Sequence, residues 1–173
     1  MNKTFFQIVK AWLLVGTLDI MAAFVYYFIR SGKYEVFNVL KYVASGFFGK
    51  EAVTGNSNMI VAGFLFHYFN ALCFTLLFFW LFARVKAFAF SKILTGIAYG
   101  IFIWAIMNLV VVPMSRIGTR PFNAVNALIN GLILIVCIGI PLSVIANNFY
   151  KIKSTKLQDF HLKSKQENIE DVV

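Results

Sequence analysis

Residues 59–83 form an apolar run of 25 positions with no formally charged side chain, and its strongly polar members are His67, Tyr68, Asn70 and Thr75. At about 1.5 Å per residue such a helix is long enough to cross a hydrocarbon core of about 30 Å. Three more runs share this character: 11–29, interrupted by Asp19 alone, 93–112 and 122–147. The pattern predicts an all-α membrane protein with four transmembrane helices at about 11–29, 59–83, 93–112 and 122–147. These make one domain over residues 1–150, followed by a basic, flexible tail over 151–173.

The connection between the first two runs is not a plain loop. Val36, Phe37, Leu40, Val43, Ala44, Phe47 and Phe48 recur at helical spacing. The segment is too short to span, which predicts an amphipathic or re-entrant helix between helices 1 and 2. Gly55-Asn56-Ser57-Asn58 is turn chemistry ahead of helix 2. Pro113 is expected to end helix 3, Pro121 or Phe122 to open helix 4, and Pro141 to kink that helix near Cys137.

Composition agrees with lipid as the solvent. Apolar residues make up 60% and charged residues 13%, against about 25% charged in soluble domains. The net charge of +9 does not read as nucleic-acid binding, because the basic residues sit between and beyond the apolar runs. Ten Lys and Arg fall on the side of the termini: Lys3, Lys10, Arg84, Lys86, Lys92 and the five tail lysines. Six fall on the other: Arg30, Lys33, Lys41, Lys50, Arg116 and Arg120. This bias predicts cytoplasmic N- and C-termini. Lys3 and Lys10 precede an apolar stretch longer than a signal-peptide core, so helix 1 is expected to remain uncleaved.

Chemistry is sparse. Asp19 is a carboxyl inside an apolar helix, where ionisation costs about 2.5–3.5 kcal/mol on insertion scales, so it needs a partner, water or a proton. Counted from Ala11 it lies about 10 Å in, and His67, entering from the opposite side, approaches a similar depth. The pair reads as a proton relay or as a buried structural contact. Asn70, Asn108, Asn126 and Asn130 complete a candidate intramembrane polar site, serving helix packing or lining a polar cavity. Gly16, Gly63, Gly96, Gly100 and Gly131 are candidate helix-packing glycines, with Gly96 and Gly100 in a G-x-x-x-G spacing. Cys73 and Cys137 read as small hydrophobes, without metal spacing. No phosphate-cradling glycine loop, zinc-protease motif or nucleophile elbow occurs, so neither catalytic residues nor metal nor cofactor are expected.

Gly16-Thr17-Leu18-Asp19, Ala44-Ser45-Gly46-Phe47-Phe48-Gly49-Lys50 and Gly63-Phe64-Leu65-Phe66-His67, with Tyr99-Gly100 and Asn108-Leu109-Val110-Val111-Val112-Pro113, carry a resemblance. Over roughly residues 10–150 the chain resembles a group of small bacterial inner-membrane proteins of unknown function, distantly similar to YagU-type proteins. The resemblance implies a multi-pass protein of the bacterial inner (plasma) membrane and brings no substrate or reaction. The expected function is therefore non-enzymatic, with the polar cluster used for helix packing or partner binding. The alternative is a proton-linked small-solute transporter or channel subunit using Asp19 and His67. The expected partners are the lipid bilayer and a homo-oligomeric or other membrane protein, not nucleic acid.

Overall fold

The computed structural model describes residues 3–84, 91–118 and 123–150. Lys86, Arg120, the expected helix opening at Pro121 or Phe122, and the tail over 151–173 lie outside the described residues. Six helices follow in order: α1 (Lys3–Ser31), α2 (Asn38–Phe48), α3 (Glu51–Thr54), α4 (Asn58–Arg84), α5 (Lys92–Met114) and α6 (Ala124–Tyr150). Helices α1, α4, α5 and α6 are long and apolar enough to span a membrane. No strand occurs among the described residues. The protein is an all-α, multi-pass membrane protein with a short helix, α2, inserted between its first two spans.

Helix α1 begins at Lys3, well before the expected Ala11. Lys10 does not interrupt it, because the side chain turns back and its Nζ lies 4.4 Å from the centre of the Phe6 ring. Asp19 consequently lies about 24 Å from the start of its helix rather than about 10 Å, near the middle of the span.

Prolines shape the other two spans. Pro113 does not end α5, which runs on to Met114. Ahead of it the backbone widens into a π turn over Met107–Val111, with the Val112 N–H donating to the Met107 carbonyl five residues back. Pro141 in α6 is preceded by the same device over Ile135–Gly139, where the Ile140 N–H donates to Ile135. A proline ring clashes with the carbonyl four residues before it, here Leu109 and Cys137, and both carbonyls lie inside the widened turns.

The apolar core sits in the half of the bundle nearest Lys3 and Tyr150. It joins Ala11 and Val15 of α1, Phe78, Phe79 and Phe82 of α4, Tyr99 and Ile103 of α5, and Ile138, Leu142 and Ala146 of α6. The Tyr99 hydroxyl donates to the Phe74 carbonyl at 2.6 Å and the Ser143 hydroxyl to the Lys92 carbonyl at 2.6 Å, so these two hydroxyls are spent on backbone.

Glycines set how closely the helices approach. A Cβ on Gly100 would meet the Ile135 backbone at 2.5 Å, and one on Gly139 would meet the Gly96 carbonyl oxygen at 2.1 Å, so α5 and α6 cross backbone to backbone. Helix α2 makes its main contact with α4. There a Cβ on Gly63 would lie 1.9 Å from the Leu40 carbonyl oxygen. Leu40, Ala44 and Ser45 of α2 are buried, Phe47 stacks on Phe66 at 5.4 Å, and Phe37, just ahead of α2, meets Phe24 of α1 edge to face at 5.9 Å. The Arg116 N–H donates to the Gly46 carbonyl at 3.0 Å, tying the chain after α5 to the same platform.

Gly63→Ala should displace α2, because the blocking atom belongs to rigid main chain rather than a flexible side chain. The expected cost is about 1–3 kcal/mol, the usual range for overpacking. Gly131→Ala is the control: its Cβ would meet only the Trp104 ring, at an ordinary 3.6 Å. Melting in detergent should fall for the first variant and hold for the second.

Candidate functional site

The polar residues of α1 and α4 meet along one seam. The Trp12 indole N–H donates to the Tyr68 carbonyl at 2.7 Å, and the two rings meet edge to face. Thr17 gives its proton to the Leu13 carbonyl at 2.7 Å, so the Tyr68 hydroxyl donates to the Thr17 oxygen at 2.8 Å. His67 Nε2 lies 2.8 Å from the Gly16 carbonyl. A carbonyl only accepts, so this nitrogen carries a proton and donates it. A Cβ on Gly16 would press on the Tyr68 ring at 3.1 Å, which is why a glycine suits the crossing.

Asp19 lies one turn from Gly16 towards the α2 side and is half-buried. His67 and Cys137 are the titratable groups close enough to act on it electrostatically. Among the described residues its carboxyl makes neither a hydrogen bond nor an ion pair. The imidazole is thus bonded to main chain while the carboxyl beside it is left open.

A second polar cluster lies at the end of α1 nearest α2. The Tyr26 hydroxyl donates to Asn126 Oδ1 at 2.9 Å, and the Arg30 guanidinium donates to Tyr26 at 3.1 Å and also to Asn126 Oδ1. Asn126 itself follows Asn123, whose side chain caps the start of α6 by accepting from the Asn126 N–H at 3.0 Å.

The remaining expected site residues do not join either group. Asn70 is half-buried, and its amide makes no hydrogen bond among the described residues. Asn108 is exposed and donates to the Trp104 carbonyl of its own helix at 2.9 Å. It stands within the π turn over Met107–Val111. Asn130 is exposed on α6. The six polar residues are therefore not one site.

Sequence reasoning missed Trp12, Thr17, Tyr68, Tyr26 and Arg30. The i, i+4 spacing of Tyr26 and Arg30 was a usable signal, since it places a phenol under a cation on one face. Cys137 read as a plain hydrophobe, and nothing in its local sequence marks it as a neighbour of Asp19. Comparison with known proteins finds no matching family model, curated protein or solved structure.

Replacing His67 by Phe keeps a planar ring, somewhat larger than imidazole, and removes the donor to Gly16. Loss of a membrane interhelical hydrogen bond costs about 0.6–2 kcal/mol. His67→Gln retains an N–H donor and should recover part of that loss, as read from thermal unfolding of both variants in one detergent.

Proposed function

We propose that the chain is a small non-enzymatic protein of the bacterial inner membrane, related to the YagU-type group it resembles, with both termini in the cytoplasm. Its intramembrane polar groups hold the helices in register, and its outer faces meet lipid and a membrane partner, either a second copy or another protein. The observation that carries this reading is the His67 contact. The ring is committed to the Gly16 main-chain carbonyl, the use expected of a packing residue rather than of a group exchanging protons with its neighbour.

A second reading is favoured by one feature, the open carboxyl of Asp19 beside His67 and Cys137. A carboxyl in the middle of a span without a bonded partner suits a proton-linked solute transporter or channel subunit. Asp19→Asn separates the two. If Asp19 is structural, the variant melts within about 1 kcal/mol of wild type, since an amide still fits the site, and liposomes show no proton flux for either protein. If Asp19 carries protons, wild-type liposomes conduct them and the variant, which cannot titrate, does not.

The topology is tested separately. Reporter fusions after Lys156 should be active only as cytoplasmic reporters, and fusions within residues 50–58 only as periplasmic ones. An active periplasmic reporter after Lys156 would overturn the orientation.

A further inference from the structure

An open groove of about 580 Å³ runs along the membrane-facing surface near the start of α1 and the ends of α4 and α6. Its volume falls in the roughly 300–1,000 Å³ range of ordinary small-molecule sites. Thr4 and Ile8 form one wall, Leu76, Leu77 and Trp80 the other, and Tyr150 closes one end over a floor made by buried Phe79. The lining is apolar apart from the Thr4 hydroxyl, the Tyr150 hydroxyl and the Trp80 indole N–H, and Trp80 is exposed.

The groove has a charged mouth. Arg84, one turn beyond Trp80 in the last turn of α4, holds its guanidinium 4.1 Å from the centre of the Trp80 ring. That stacking fixes a cation at the membrane edge beside an apolar trough. An apolar trough ending in fixed positive charge is the complement of one kind of molecule, an aliphatic chain carrying a negative headgroup.

We propose that this groove binds an anionic phospholipid from the leaflet on the side of Lys3 and Tyr150. One acyl chain lies between Ile8 and Leu77 along the groove, and the headgroup phosphate meets the Arg84 guanidinium. Arg84 presents planar donors that suit a phosphate, and each basic side chain near a membrane surface contributes about a fivefold preference for anionic lipid. The amphipathic rings of Trp80 and Tyr150 sit where aromatic belts meet headgroups.

The test uses the full chain in nanodiscs that contain brominated acyl chains on either phosphatidylglycerol or phosphatidylcholine at equal fraction. Trp80 emission is taken as the difference between wild type and Trp80→Phe. It should be quenched about fivefold more efficiently by the brominated phosphatidylglycerol, and Arg84→Gln should bring the ratio to about one. Equal quenching by the two lipids in wild type overturns the proposal, as does a preference that survives Arg84→Gln. Quenching by neither lipid, together with a cross-linked dimer, would assign the groove to a second copy of the chain and equally overturn it. Native mass spectrometry of wild type and Arg84→Gln counts retained phosphatidylglycerol without relying on Trp80. Greater retention by wild type is expected, and equal retention overturns the assignment.

Discussion

Close backbone approach is the constraint on which this bundle depends. In lipid there is no hydrophobic gain from joining two apolar helices, because hydrocarbon tails solvate them as well as a neighbouring helix does. Association must come from dispersion at short range and from polar contacts. The chain supplies the first with Gly63 under Leu40 and with Gly96, Gly100 and Gly139 between α5 and α6. It supplies the second with Trp12, Thr17, His67 and Tyr68 between α1 and α4. The two means overlap: Gly16 lies in the polar α1/α4 seam, and the Ser143 hydroxyl bonds the Lys92 carbonyl across the glycine-packed α5/α6 pair.

The prolines work within this arrangement. A π turn ahead of Pro141 carries Gly139, the residue that lets α6 press on the Gly96 carbonyl. The widening that accommodates the proline ring therefore also presents the glycine that makes the helix crossing. In α5 the corresponding turn serves no crossing glycine, and there it turns Asn108 outward onto its own helix.

What could be read from the chain follows from the range of the forces involved. Span number and the non-spanning helix depend on local apolar length and period, so both were legible. The start of α1 was not, because Lys10 looks like a boundary until its long side chain is seen lying on Phe6. The G-x-x-x-G of α5 was legible as a packing surface, but its partner Gly139 was not, since nothing local pairs residues on separate helices. The candidate site suffered most. Its asparagines were grouped as polar residues within the spans, which says nothing of which helices bring them together, and the real partners of α1 and α4 were aromatic residues and a main-chain carbonyl. A carbonyl has no signature in a sequence.

The seat of α2 has a consequence for how the protein is made. Leu40 precedes Gly63 in the chain, so when α2 leaves the ribosome the surface it rests on has not yet emerged. Phe37, Leu40, Ala44, Phe47 and Phe48 recur at helical spacing as one apolar stripe, which allows α2 to lie at the lipid interface in the interval, before Phe47 and Phe48 meet Phe66. Only when α4 enters the bilayer does the Gly63 face become available for α2 to settle on. The order of synthesis thus divides assembly into a step of waiting at the interface and a step of docking, and the timing of the second is set by the membrane entry of α4.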